Sequence, residues 1–251
     1  MYEQILIDNF YKIRDSGWIL SNFSLPKHYD NCLGDTFESL VGKQIDNAPV
    51  ADFHGIEFKS HRTVTKSMVT LFSKAPSYPR RANTFLRTNY GVYEDNYNGQ
   101  ILNTTVFGNR ENTHRGGYGF KVEIDRQSKN IRLFIRDLNT GKIVNNDIYW
   151  SFTVLENAIK KKLNTIAILY GEESPDYSSN KWMVRYTQMS LIKQITLEQM
   201  LKSIEDGRLA IDIRIGVYAS GKNVGKTHDH GTAFRMNLQD LLNLYGTVET
   251  Y

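Results

Sequence analysis

One cysteine, Cys32, is all the thiol chemistry that 251 residues offer. A disulfide framework within the chain is excluded, as is a zinc site built on cysteine, and a reducing compartment is implied. Nowhere does an uninterrupted apolar stretch reach the length that a membrane helix needs. The opening residues, MYEQILIDNFYKIRDSG, interleave acids with apolar side chains and lack the basic-then-apolar order of a secretory signal. The chain is therefore expected in the cytoplasm, away from membranes. A strong charge of one sign is missing too: the net charge is +4 and the pI about 8.9. Such mild basicity allows an anionic partner without demanding one. Internal repeats and low-complexity linkers are also lacking. What is there is ordinary globular material, 40% hydrophobic and 23% charged, in a chain long enough to bury a substantial core. Fifteen tyrosines suit stacking and wet interfaces, and suit plain β-structure equally.

Helical spacing of Tyr2, Ile5, Leu6, Phe10 and Ile13 predicts a first helix ended by Ser16-Gly17, followed by a polar loop through Pro26. Asp35 or Thr36 is expected to cap a second helix with Phe37, Leu40 and Val41 on its apolar face. Met68 to Lys74 reads as a strand, and Ala82, Phe85, Leu86 and Tyr90 as a helical stripe stopped by Gly91. Residues 91–117, rich in Asn, Gly and Thr, read as long loops bearing a small cationic cluster of Arg110, His114 and Arg115. YGFKVEID and NIRLFIRDL alternate with period two about Ser128-Lys129-Asn130, a hairpin pattern, and DIYWSF follows. A helix over Thr153–Leu163 ends in Lys160, Lys161 and Lys162, which complement its dipole. TIAILYGE and KWMVRYTQMSLI read as strands. Thr196 and Gln199 form a capping box for a helix ended by Gly207. LAIDIRIGVYAS is a strand with Ile211, Ile213 and Ile215 facing one way and Asp212, Arg214 and Gly216 the other. A last helix is capped by Asn237 and stopped by Gly246. Strands mixed with helices without strict alternation predict an α+β fold with a mixed sheet.

Chemistry concentrates in Asp52-Phe53-His54-Gly55-Ile56-Glu57-Phe58-Lys59. The order reads as a loop turning at Gly55 into a strand, with Ile56 and Phe58 on one face and Glu57 and Lys59 on the solvent face. Asp52, Glu57 and the Phe58 carbonyl make an oxygen set suited to Mg²⁺. Lys59 reaches the same side and can hold a water against a phosphate. This is an Asp-x4-Glu-x-Lys nuclease pattern; the same residues also read as a strand wetted on one face.

The second informative stretch is GKNVGKTHDHGT, Gly221 to Thr232. It fails as a phosphate-binding P-loop, with three residues between its glycines where four are needed. His228 and His230 with Asp229 could chelate a transition metal, as in a zinc hydrolase. As a glycine-flanked loop the same residues offer donors and acceptors to base edges, with Lys222, Lys226 and Arg235 available to phosphates. A polar surface loop is the plain alternative.

GDTFESLVG (Gly34 to Gly42), ADFHGIEFKSHR (Ala51 to Arg62) and DIRIGVYASGKNVGKTHDHGTAFRMN (Asp212 to Asn237) together resemble the MvaI/BcnI family of monomeric type II restriction endonucleases, nearer its MvaI side, over nearly the whole chain. The resemblance implies a MutH-like restriction-endonuclease fold, with a central mixed β-sheet flanked by helices. It implies a single nuclease domain over 1–251, with two lobes around a DNA cleft: a catalytic lobe near 1–90 plus part of the central sheet, and recognition elements near 91–120 and 205–240. Asp52, Glu57 and Lys59 fall on the family's catalytic positions, and Glu38 on a helix beside its metal site. Arg214, Tyr218, Lys222, Lys226, His228, Asp229, His230 and Arg235 fall where the family reads its bases and backbone, and Arg110 becomes a DNA-flanking candidate. Mg²⁺, double-stranded DNA, a methyltransferase as genetic partner, and strand-by-strand cutting of a CCNGG-type site (CCWGG favoured) to 5′-phosphate ends are further expectations. Alternatives are a strand-nicking repair endonuclease like MutH and a non-catalytic DNA-binding protein.

Overall fold

The computed structural model describes residues 1–27, 29–42, 51–62, 67–244 and 248–251, and only the backbone at Asp229 and His230. In chain order the elements are α1 (Tyr2–Asp15), β1 (Ile19–Ser24), α2 (Cys32–Leu40), β2 (Ile56–Arg62), β3 (Val69–Ser73), α3 (Ala82–Tyr90), β4 (Val92–Glu94), β5 (Gly99–Val106), β6 (Tyr118–Asp125), β7 (Asn130–Asp137), β8 (Ile143–Ser151), α4 (Phe152–Lys162), β9 (Thr165–Asp176), β10 (Lys181–Lys193), α5 (Leu197–Glu205), β11 (Leu209–Val217), β12 (Thr227–Met236), α6 (Leu238–Leu244) and β13 (Val248–Thr250). The α+β class with a mixed sheet is borne out. Among the described residues no helix is long and apolar enough to cross a membrane.

The chain divides into two compact units. The first comprises Met1–Val69, Ile159–Ile195 and Leu241–Tyr251. Its sheet runs β1-β10-β9-β2, with β13 also on β10; β2 runs parallel to β9, and the other pairs are antiparallel. Leu6 and Phe10 of α1 and Leu33 and Phe37 of α2 share one core cluster with Ile56, Phe58, Ala167 and Leu169. Phe37 meets Phe58 and Tyr186 edge-on, both at 5.2 Å. Each such fully buried side chain contributes about 1.5–3 kcal/mol. The buried Tyr186 hydroxyl donates to the Leu33 carbonyl at 2.7 Å, which removes the cost of hiding a polar group.

The second unit comprises Thr70–Ala158 and Thr196–Asp240. It holds the sheet β3-β12-β11-β5-β4 and the smaller sheet β6-β7-β8. Ile211, Ile213 and Ile215 point into the core with no exposure, as their alternation predicts. Phe234 stacks on Phe72 at 4.8 Å and meets Trp150 edge-on at 6.1 Å. Trp150 donates through Nε1 to the Lys74 carbonyl at 2.8 Å. Both hydrogen bonds of the Thr196–Gln199 capping box are made.

Several local expectations are corrected. The polar loop after α1 contains β1, and residues 91–117 contain β4 and β5. Loop-like composition gave way because Ile101, Leu102 and Val106 bury themselves while Thr104 and Thr105 are β-branched. α2 starts earlier than expected, after Asn31, because Cys32 and Leu33 belong to its buried face. His228, Asp229 and His230 stand in β12, not in a loop; only the turn before them is irregular. Gly246, expected to end the last helix, lies outside the described residues.

Candidate active site

The approach to β2 is built by a two-residue turn. Phe53 and Ile56 exchange backbone hydrogen bonds of 2.9 and 2.8 Å across His54 and Gly55, whose φ angles are 46° and 92°. Two successive left-handed residues make a type I′ hairpin turn, which Gly55 adopts freely and His54 only at a cost. The His54 ring is stacked on Tyr2 at 3.8 Å. The turn returns Asp52 alongside the strand, where its Oδ2 accepts the Phe58 N–H at 2.7 Å. That amide is open because β2 is an edge strand, with β9 on its other side. A strand residue sends its N–H and C=O to the same edge, so the Phe58 carbonyl faces the Asp52 side as well.

Glu57 points to the opposite face from Ile56 and Phe58. Its Oε1 accepts from Lys59 Nζ at 2.6 Å and from Lys162 Nζ at 3.4 Å. The solvent-facing placement expected for Glu57 is corrected: it is 3% exposed. The cause is α4, which ends immediately before β9, the parallel partner of β2. With Ile56 registered on Thr165 and Glu57 on Ile166, the last turn of that helix arrives beside Glu57. Lys162 therefore does more than complement a helix dipole, and single-residue patterns offered no sign of it. Glu57 Oε2 is buried without a hydrogen-bond partner among the described residues.

A buried carboxylate oxygen with no donor is costly, about 1–3 kcal/mol, unless something positive occupies it. Asp52, Glu57 and the Phe58 carbonyl are hard oxygen donors at one sheet edge, and this set fits a divalent cation that keeps several of its waters. Among the described residues no three His, Cys, Asp or Glu side chains gather as a metal cluster, so a backbone oxygen is needed to complete the set. Glu38 is half-buried on α2. That helix packs closely on β2: a Cβ on Gly34 would meet Ser60 Oγ at 3.3 Å.

In the second unit, Asp212 and Arg214 of β11 share a face with Asn103 and Thr105 of β5, their register partners. These residues and Thr104 line an open depression of about 520 Å³. Asp212 is the hub. Its Oδ1 accepts from Thr105 Oγ1 at 2.9 Å, and its Oδ2 faces Arg235 Nη1 at 2.8 Å and Arg214 Nε at 3.3 Å. The β11–β12 register slips by one residue between Ile213 and Ile215, beside Gly231 at φ 90°. That bulge sets His228 opposite Gly216, on the Asp212 face, where its ring stacks on Tyr218 at 4.2 Å. The side chains of Asp229 and His230 lie outside the described residues. Lys222 and Lys226 are exposed on the preceding turn. Arg110 is exposed and lies over the Phe107 ring at 3.5 Å. Asn103, Thr105 and Asp212 were missed as site candidates; reading β5 as loop hid the strand that presents the first two.

The cationic cluster at 110–115 is partly corrected. His114 is 7% exposed, and its Nδ1 accepts the Gly116 N–H at 3.2 Å. Burial, with Arg115 adding to it, lowers its pKa, so it is a neutral packing residue. Arg115 is paired with Glu94.

Glu57 and Lys59 on an edge strand of a mixed sheet, with Asp52 turned back beside it, are an arrangement compatible with a phosphodiesterase of the restriction-endonuclease class. The chain matches the model of the MvaI/BcnI restriction endonuclease family over residues 7–245 and belongs to that family. It is similar to the solved structure of restriction endonuclease MvaI in complex with its cognate DNA substrate, at 40% identity and a TM-score of 0.87, covering 99% of this chain and 98% of that one. It is also similar to MvaI in the absence of DNA, at 40% identity and a TM-score of 0.65, covering 99% and 97%. A search of curated proteins returns no match.

Proposed function

We propose that this type II restriction endonuclease binds double-stranded DNA and hydrolyses its phosphodiesters with Mg²⁺ at a short CCNGG-type site, CCWGG favoured, leaving 5′-phosphate ends. The observation that carries the reading is the buried Oε2 of Glu57, without a donor among the described residues, beside Lys59 and the edge-facing backbone of Phe58. In this reading Asp52, Glu57 and the Phe58 carbonyl hold the metal. When bound, Mg²⁺ supplies charge stabilisation to the scissile phosphate and acidifies water. Lys59, held at 2.6 Å by Glu57, orients the attacking water and balances charge on the phosphate. Glu38 is a subsidiary candidate beside this site.

The second unit supplies recognition. Arg214 and Arg235, fixed by Asp212, suit the O6 and N7 acceptors of guanine, and the DNA in the MvaI complex supports such an interface. His228, Asp229, His230 and Tyr218 complete the base-reading set, while Lys222, Lys226 and Arg110 take phosphates. One copy of the Asp52-Glu57-Lys59 set supports action as a monomer that nicks one strand and then the other, in a cytoplasm where a methyltransferase protects the host site. The test is a supercoiled plasmid carrying one CCWGG site, incubated with pure protein and Mg²⁺, with the ends mapped. A nicked intermediate, a rate first order in protein, and binding without cutting in Ca²⁺ are expected. Direct linearisation at a rate rising with the square of protein concentration would show two chains acting together. No cutting of unmodified duplex would favour a partner-dependent nickase.

A further inference from the structure

We infer that Lys162 places a surplus positive charge beside Glu57 that opposes cation binding until a DNA phosphate arrives. The inference rests on the proposed metal site. Lys59 and Lys162 both address Oε1 of Glu57, at 2.6 and 3.4 Å, while Oε2 has no donor among the described residues. A buried carboxylate without compensation is unfavourable by several kcal/mol in water-free surroundings. One ammonium suffices to neutralise Glu57, and Lys59 provides it at the shorter distance. Lys162 is a surplus positive charge, anchored at the end of α4 and 29% exposed.

Such a charge acts in two opposing ways on a cation at Oε2. It helps fix the Glu57 rotamer, but Lys59 already does so. It also repels a doubly charged ion at close range in a poorly solvated site, and that interaction doubles with the ion's charge. The repulsion outweighs the positioning. With Asp52 and Glu57 as the anionic side chains that hold the metal, two lysines plus a divalent ion leave an excess of two positive charges, or of one where Glu38 also faces the site. A DNA phosphodiester removes one of them. Lys162 thus couples occupancy of the metal site to the presence of substrate, and limits idle loading without it.

Calcium binding to DNA-free protein, followed by isothermal titration calorimetry, separates these effects. Lys162→Met, which keeps the stem and removes the charge, should bind Ca²⁺ about tenfold or more tightly than wild type. Lys162→Arg should restore wild-type affinity. With a non-cleavable duplex bound, the gap between Lys162→Met and wild type should narrow to less than about threefold. Circular dichroism establishes that each variant is folded. If folded Lys162→Met bound Ca²⁺ no more tightly than wild type, while Glu57→Gln still abolished binding, the metal site would stand and the role of Lys162 would be lost. Calcium binding that survived Glu57→Gln would instead remove the metal-site reading, and this inference with it.

Discussion

Two places in this molecule share one charge pattern, an acid between two bases, and resolve it differently. In the first unit Glu57 sits between Lys59 and Lys162, both on one oxygen, and the other has no donor among the described residues. In the second, Asp212 sits between Arg214 and Arg235, and both of its oxygens are engaged because Thr105 takes the second. The acid with both oxygens engaged holds two guanidinium groups in place, and one of them, Arg214, lines an open depression with it. The unsaturated acid keeps one oxygen for something positive, and its lysines act as point charges. Charge count alone would have classed the two together. The fate of the second carboxylate oxygen separates a site suited to metal chemistry from a scaffold for donors.

The largest expected effect follows from that oxygen. Glu57→Gln should reduce DNA cleavage by about 10³-fold or more, since it removes the charge of the proposed metal ligand. Because Glu57 is buried between two ammoniums, the same change should also lower stability, by about 1–3 kcal/mol. Cleavage assays and thermal melts together test this; cutting near the wild-type rate would end the assignment. The sister change, Asp212→Asn, should leave the metal site intact but loosen Arg214 and Arg235. Cognate DNA affinity should fall by about 1–3 kcal/mol while non-specific affinity stays. Lys222→Ala should weaken both together and lower the salt slope by about one, as read in titrations at several salt concentrations. Were Asp212→Asn to behave like Lys222→Ala, the polar face would be a backbone contact and the contrast with Glu57 would lose its meaning.

How much of this contrast was legible in the sequence depends on the range of the interactions. Asp52, Glu57 and Lys59 lie within eight consecutive positions, and alternation places Glu57 and Lys59 on one side; their hydrogen bond agrees. Lys162 is 105 residues from Glu57, and its arrival there depends on the parallel β2–β9 pairing, which no local pattern encodes. The same limit hid Asp212. Its face was correctly read from LAIDIRIGV, but its burial needs Thr105 from β5, a strand disguised by an Asn, Gly and Thr-rich composition. GKNVG before His228 reads as loop; the bulge at Gly231 that sets the register of His228 lies six positions beyond Gly225, the last glycine of that turn. Local chemistry was readable, and chemistry assembled by strand pairing was not.

The smallest expected effect tests the same contrast from the neutral side, at a base that the fold keeps uncharged. His114 is buried against Phe120, its ring edge-on at 5.8 Å, and its Nδ1 already accepts the Gly116 N–H. Protonation would put a hydrogen where that acceptor is needed and a charge where solvent is excluded. Burial first, and Arg115 second, hold its pKa below the ordinary 6.5. The unfolded chain therefore takes up the proton before the folded one does. Stability contributed by neutral His114 is fully present above about pH 6.5 and is lost as pH falls from there through the folded value, by at most about 1.4 kcal/mol per pH unit. Thermal melts between pH 7.5 and 5 should fall more steeply for wild type than for His114→Asn, whose side-chain oxygen can still accept from Gly116. Equal pH slopes in the two proteins would mean that His114 titrates as it does in the unfolded chain, and that the fold tolerates a third charged base where it was argued to exclude one.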